Sequence, residues 1–231
     1  MRIHSIKLLT KQLKQLHRFY TDVFGLTLKE NSSETFAVKV GHSDLIFELA
    51  DHAEENPFYH FAFDIPENKI DEAIVWLDSV GVTLNILPDN TFKAYSKTWH
   101  ATSIYFYDPA GNIVEFIARH NHDNAILAPF TGKELLRISE IGLVVNDVTS
   151  MKDSMRTNYI INGYKDSYET FAAIGDEEGL FILSANHRAW LGSDKKASIF
   201  KTEITIEGTP EGVFVLGQYP YSLSVIGTPL T

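Results

Sequence analysis

The chain begins with a change of hydrophobic period that predicts one strand followed by one helix. Apolar and polar residues alternate over residues 3–8, as in a half-buried strand. Over residues 11–24 the apolar positions take helical spacing, and Gly25 follows as a residue that can end a helix with positive φ. Turn-forming residues then separate three further predicted strands, at 26–29, 35–40 and 45–49.

The same order of elements returns in the second quarter of the chain. Residues 58–65 have the pattern of a strand, and residues 66–80 have the pattern of a helix that Gly81 ends. Three more strands are predicted at 82–87, 104–107 and 113–118. The unit strand–helix–strand–strand–strand therefore occurs twice.

A third copy begins at Ile138. A shift of 135 positions places Ile3 on Ile138, and it also superimposes the tetrapeptide Glu-Thr-Phe-Ala at 34–37 on the same tetrapeptide at 169–172. This agreement indicates internal duplication. Residues 203–206 resemble the opening strand of a fourth unit, but no helical pattern follows them.

These repeats predict an α+β fold of tandem βαβββ modules with a truncated fourth module. Each module buries one sheet face under its own helix, so a sister module must cover the other face, and two modules enclose a cleft. We expect two modules in residues 1–125, a linker at 126–137, and the third and truncated fourth modules in 138–231.

The amino-acid composition limits the kinds of site and partner that the chain can have. The 231 residues contain no cysteine, which excludes disulfides, zinc–thiolate sites and a cysteine nucleophile, so any metal is held by His, Asp or Glu. The net charge of −10 disfavours nucleic acid as a partner. No apolar run is long enough to span a membrane, and the first residues are too polar for a signal peptide. We therefore expect a cytoplasmic protein with no membrane partner.

Three segments resemble the vicinal oxygen chelate superfamily, which includes glyoxalases, fosfomycin- and bleomycin-resistance proteins and ring-cleaving dioxygenases. They are residues 13–26, residues 59–63 (Tyr-His-Phe-Ala-Phe) and residues 108–116 (Asp-Pro-Ala-Gly-Asn-Ile-Val-Glu-Phe). The resemblance implies paired curved mixed sheets around a cleft that holds a metal or a small-molecule ligand. It also allows a homodimer.

Within this resemblance, His60 matches a metal ligand of an opening strand and Glu115 matches the carboxylate of a closing strand. Strand parity supports His60 independently, because Phe61 and Phe63 suit the face that meets the helix and leave His60 facing the cleft. Together with a second histidine they would form a facial triad suited to a divalent metal ion such as Fe, Mn, Ni, Zn or Co. Without a metal, Glu115 would pair with a basic side chain such as Arg119.

The third ligand is left open by the sequence. The family's first-strand histidine falls on Ser5, whose neutral hydroxyl is a poor ligand, and His4 would reach the cleft only through a bulge. His100, near the cleft mouth, could reach inward. Glu140 occupies the position in the third module that Ser5 has in the first, and could contribute if the two halves pack around a shared site.

Two functions from different classes follow. The first is a metal-dependent enzyme, of the lyase, isomerase or extradiol-dioxygenase kind, in which Glu115 also carries a proton and the substrate contacts His100, Tyr105 or Ser5. The second is a metal-free protein of the bleomycin-resistance type that sequesters a small molecule. A scaffold that has lost its chemistry is a third reading.

Overall fold

The computed structural model describes residues 1–50 and 56–227, and its elements follow the repeating order. The first module contains β1 (Arg2–Thr10), α1 (Leu13–Arg18), a π-helical turn (Phe19–Val23), β2 (Thr27–Asn31), β3 (Thr35–Val40) and β4 (Ser43–Leu49). The second contains β5 (His60–Ile65), α2 (Ile70–Ser79), β6 (Ala94–Ser96), β7 (Ala101–Tyr107) and β8 (Ile113–Arg119). The third contains β9 (Arg137–Val145), α3 (Val148–Tyr159), β10 (Gly163–Tyr168), β11 (Phe171–Asp176) and β12 (Gly179–Ala185). In the residues described, the fourth has only strands: β13 (Thr202–Glu207), β14 (Gly212–Val215) and β15 (Tyr221–Ile226).

The modules pair in an order that differs from their order along the chain. The first sheet has the strand order β14-β15-β13-β1-β4-β3-β2, so the first module joins the fourth. The second sheet has the order β10-β11-β12-β9-β5-β8-β7-β6, so the second module joins the third. In both sheets the joint is an antiparallel pair of opening strands, β1 with β13 and β5 with β9. The cleft of the second sheet therefore draws residues from both halves of the chain.

The α+β class, the curved mixed sheets and the missing helix of the fourth module are confirmed. Alternate residues of β5, namely Phe61, Phe63 and Ile65, belong to the main core, which also takes in the helices and both sheets. His60, Ala62 and Asp64 occupy the opposite face of the strand, as its parity predicts. The division of the chain into domains at 126–137 stays a prediction.

The strand predicted at 82–87 was wrong. Leu84 forms a single isolated bridge with Phe106, and the segment continues into an irregular loop in which Pro88 has no backbone N–H to donate to a neighbouring strand. The strand that borders β7 instead is the short β6. Among the described residues, no helix is long and apolar enough to cross a membrane.

A buried polar network fixes the turn between β7 and β8 against the helix of the first module. Asp108 accepts hydrogen bonds from the backbone N–H groups of Ala110 and Asn112, from the Asn112 amide at 2.7 Å, and from the Tyr20 hydroxyl at 2.9 Å. Burial raises the pKa of Asp108 to about 6, although these donors oppose the shift by stabilising its carboxylate. The network thus links the two sheets through the Asp108 carboxylate, which depends on these hydrogen-bond donors for its stabilisation.

We predict that Tyr20→Phe lowers the free energy of unfolding by about 1–3 kcal/mol at pH 7, because it removes one donor from a buried carboxylate. Urea unfolding measures the change. Tyr168→Phe is the control, since Tyr168 is exposed and its hydroxyl forms no hydrogen bond with the described residues. Equal stability of the two variants would contradict the prediction.

Candidate metal centre

Two glutamates meet over a small residue at the joint between the second and third modules. In the strand registers, Ala62 of β5 lies opposite Glu115 of β8 on one side and opposite Glu140 of β9 on the other. All three residues therefore lie in one cross-strand row on one face of the sheet. Because the alanine side chain is so short, it leaves space above it in which the two longer carboxylates approach each other.

His60 completes this cluster one pleat further along β5. One ligand atom from each of His60, Glu115 and Glu140 lies within 4.8 Å of the others, and all three residues are buried. The His60 Nδ1 lies 3.2 Å from the carbonyl oxygen of Ile113, which can only accept, so Nδ1 carries the proton. Nε2 therefore presents its lone pair towards Glu115, whose Oε2 is 3.5 Å away.

Burial sets the protonation of this group. It lowers the pKa of His60 to about 4. Burial, and after it the negative charge of Glu140, raises the pKa of Glu115 to about 8, although Ser103 and Tyr105 stabilise the ionised carboxylate by hydrogen bonding. At neutral pH the imidazole is therefore uncharged and Glu115 is mostly protonated.

Glu140 has a cationic partner that Glu115 lacks. The Arg119 Nη2 donates to Glu140 Oε1 at 2.6 Å and to the Ser139 hydroxyl at 3.0 Å, and the guanidinium is 1% exposed. Burial raises the pKa of Glu140, but the adjacent guanidinium opposes that shift. A carboxylate paired in this way keeps its second oxygen for another contact.

A cavity of about 290 Å³ opens above the cluster. That volume is at the small end of the range for ligand pockets, about 300–1,000 Å³. Its wall is mostly apolar, and its polar groups converge on the cluster. The lining includes His60, Tyr95, Trp99, Ser103, Tyr105, Glu115, Glu140, Phe171, Arg188 and Trp190.

One wall of the cavity is a loop, residues 186–201, that connects the third module to the fourth. The Trp190 ring lies 4.9 Å from the His60 ring, and this approach requires Gly142, where a Cβ would lie 2.7 Å from the indole. Gly192, with φ of +67°, packs its backbone on the Tyr105 ring, where a Cβ would lie 2.5 Å from the nearest ring atom. The loop therefore packs closely on residues of both the second and the third module.

The structure brings together some of the residues that the sequence singles out. His60 and Glu115 lie in the cluster, and Tyr105 lines the cavity and lies opposite Glu115 in the β7–β8 register. Glu140 joins them because the halves of the chain pack around a shared cleft. Two further aromatic residues, Tyr95 and Trp99, also line the cavity.

The remaining candidates lie elsewhere. His4 and Ser5 are on β1 of the other sheet, where Ser5 pairs with Asp44 and Thr205. A register irregularity does occur between Ile3 and Ser5, but it does not bring His4 into the cluster. His100 is exposed, and its Nδ1 lies 2.8 Å from the Asn121 side-chain oxygen.

Sequence patterns gave no indication that Arg188 and Trp190 lie in the cavity wall. Both lie in an irregular loop, where no periodicity indicates which way a side chain points. Arg119 and Lys7, the alternative partners for Glu115 in the absence of a metal, bind other carboxylates: Arg119 binds Glu140 and Lys7 binds Glu48.

Comparison with known proteins agrees with this architecture. Residues 2–116 match the family model of the Glyoxalase/Bleomycin resistance protein/Dioxygenase superfamily. The chain belongs to this superfamily. A search of curated proteins found no match.

Solved structures of the superfamily fold align with the whole chain. A putative dioxygenase from Bacillus subtilis subsp. subtilis str. 168 has a TM-score of 0.63 at 12% identity, covering 100% of this chain and 86% of its own. A V278E mutant of glyoxalase I from Zea mays has a TM-score of 0.60 at 14% identity, covering 98% of this chain and 92% of its own. At such identities these similarities concern the fold alone.

We predict that Arg119→Met costs about 3–5 kcal/mol of unfolding free energy, because it leaves a buried carboxylate without its partner. The double variant Arg119→Met/Glu140→Met should recover most of that loss, since it removes both members of the pair. Urea unfolding at pH 7 measures both. Arg156→Met is the control, because Arg156 is exposed and lies 3.6 Å from Asp153. A single variant as stable as this control would contradict the prediction.

Proposed function

We propose that this protein is a divalent-metal-dependent enzyme that acts on a small molecule with vicinal oxygens, bound in the cavity between the second and third modules. The observation that carries the proposal is the convergence of His60, Glu115 and Glu140 on the floor of that cavity. Two carboxylates and one imidazole converge there from three different strands, in a buried place where each charge is costly without a partner.

The donor set fits a divalent transition metal. Imidazole and carboxylate ligands suit Fe(II), Mn(II), Co(II), Ni(II) and Zn(II), and three ligands on one side leave positions for substrate oxygens. Ligand atoms around such an ion lie about 2.0–2.2 Å from it, so neighbouring ligands are about 3 Å apart. The 3.5 Å between His60 Nε2 and Glu115 Oε2 is close to that spacing.

Neighbouring groups prepare each of the three residues for this role. The Ile113 carbonyl holds the tautomer in which His60 Nε2 is free, and Arg119 keeps Glu140 oriented. Glu115 would be a ligand and also the catalytic residue that exchanges a proton with the substrate, since its carboxylate lies in the cavity where the substrate binds. A bound metal ion would supply Lewis acidity that polarises the substrate oxygens.

One observation favours the alternative, a metal-free protein that binds and sequesters a small molecule. The charges of the cluster are already balanced without a cation, because Arg119 neutralises Glu140 and burial keeps Glu115 mostly protonated at neutral pH. Several aromatic side chains of the cavity wall would then bind the ligand directly. Metal content distinguishes the two functions.

We predict about one divalent ion per chain after reconstitution with Fe(II), Mn(II), Co(II), Ni(II) or Zn(II), measured by elemental analysis of protein purified without chelator or metal-affinity tag. His60→Ala should lose at least about 90% of the bound metal, and Glu140→Gln should weaken binding by about tenfold or more, because each removes a ligand. The metal that copurifies with the untreated protein, rather than the one that binds most tightly, indicates the cofactor, because affinity follows the general order of the divalent metals.

His4→Ala is the matched control, because His4 is a strand histidine of the other sheet, outside the cluster. It should keep the full metal content. Loss of metal in His4→Ala with retention in His60→Ala would contradict this site. If the unmodified protein binds none of these metals, the metal-dependent function is contradicted and the sequestering function remains.

Metal binding should also release protons. Glu115, with a pKa of about 8, is mostly protonated at neutral pH and must lose its proton to become a ligand, whereas His60, with a pKa of about 4, is already neutral. Metal affinity should therefore rise with pH up to about 8 and then level off, with about one proton released per ion near pH 6.5.

Calorimetric titrations in buffers of different protonation enthalpy measure this release. Glu115→Gln is the control, since it has no proton to lose, and its weaker metal binding should vary less with pH. Release of no proton near pH 6.5 by the unmodified protein would contradict the assignment of Glu115 as a ligand.

A further inference from the structure

The cavity wall holds a cation that has no counterion among the described residues. Arg188 is half-buried in the loop after β12 and lines the same cavity as the His60 cluster. Its guanidinium lies over the Phe171 ring, 5.0 Å from the ring centroid. Among the side chains that the structure describes, which do not include those of residues 51–55, 166 and 228–231, no carboxylate forms an ion pair with Arg188 and no oxygen accepts a hydrogen bond from it.

Other arginines near the sheet are paired. Arg119 binds Glu140, and Arg137 binds both Asp64 and Glu178. A guanidinium removed from water without such a partner is costly, and an anion that enters the cavity would offset that cost. The position of Arg188 on the wall of an open cavity leaves its donors available to a bound ligand.

The balance of charge in the cavity points the same way. Arg119 pairs with Glu140, and Arg188 forms no ion pair with either glutamate of the cluster. Arg188 is therefore the cation of the cavity wall without a paired carboxylate among the described side chains. The acidic net charge of the chain, −10, would by itself favour a cationic ligand. Arg188 on the cavity wall favours an anionic ligand instead, and the charges nearest to a ligand have the largest effect on its binding inside a small cavity.

The rest of the wall determines what the anion is attached to. The side chains of Trp99, Tyr105 and Trp190 give the cavity flat apolar surfaces, and its volume of about 290 Å³ admits only a small molecule. A planar carboxylate with one charge matches one guanidinium, which can bind both oxygens. A phosphate or phosphonate would bring up to two charges to that single cation, with the Glu140 carboxylate in the same cavity.

We propose that the ligand of this cavity is a small organic carboxylate with an aromatic body, whose carboxylate pairs with Arg188 while its body packs between the aromatic side chains of the wall. The proposal deepens the proposed function by naming the substrate class of the same cavity. The Arg188 contact itself does not require a metal ion.

The test uses small aromatic probes that differ in charge, with mandelate and mandelamide as a pair matched in size. Benzoate, mandelate and phenylpyruvate are the carboxylates; mandelamide is neutral, benzylamine is a cation, and phenylphosphonate carries the alternative anion. Each is titrated by calorimetry into the purified protein and into Arg188→Gln, Arg188→Lys and the exposed control Arg156→Gln. Thermal unfolding of each variant establishes that it is folded.

We expect at least one carboxylate to bind the unmodified protein. Arg188→Gln should weaken it by about 10- to 100-fold, the range for a charged hydrogen bond, and leave mandelamide unchanged. Arg188→Lys, which keeps the charge and loses the planar fork, should be intermediate, and Arg156→Gln should match the unmodified protein. Equal carboxylate binding by Arg188→Gln, or no binding of any carboxylate at millimolar concentration, would overturn the proposal. Tighter binding of benzylamine or phenylphosphonate would overturn it as well.

Metal analysis of the same samples separates this proposal from the proposed function. Metal retained in Arg188→Gln together with lost carboxylate binding would uphold both. An unmodified protein without metal whose carboxylate binding still depends on Arg188 would uphold the ligand class and remove the metal-dependent reaction. Bound metal together with carboxylate binding that does not depend on Arg188 would uphold the metal-dependent reaction and overturn the proposed role of Arg188.

Discussion

The antiparallel pairing of β5 with β9 is the contact on which the candidate site depends. It joins the second module to the third, and its register places Glu140 opposite Ala62, whose other neighbour is Glu115. A register shift by one residue would turn Glu140 to the other face of the sheet, where the helices pack. The site therefore exists only because two copies of one structural unit, distant in the chain, share a sheet.

Burial gives this arrangement its chemistry and also its cost. Two carboxylates so close together cannot both be ionised in a buried place without compensation. The protein meets this constraint with one arginine and one proton: Arg119 pairs with Glu140 and opposes the effect of burial on its pKa, while burial raises the pKa of Glu115 to about 8. Two chemically identical residues therefore have different environments.

Much of this could be predicted from the sequence, and the limits have physical causes. Strand parity oriented His60, because a period of two is visible in β5 itself, and the internal repeat identified Glu140 as the counterpart of Ser5. The sequence could not show which modules share a sheet, so it could not choose Glu140 over His4. The segment at 82–87 has strand-like composition but lacks a continuous partner. Arg188 and Trp190 lie in a loop without periodicity.

The loop that carries Arg188 and Trp190 has a consequence for how such a protein can change over evolutionary time. The cluster residues lie on central strands, where each position is constrained by neighbours on both sides. The loop is a connection between modules and packs on the strands from one side, as Gly192 does on Tyr105. Substitutions there can alter which molecules enter while the strands and their cluster stay intact. Ligand preference and chemistry can thus diverge independently among descendants of one ancestral sequence.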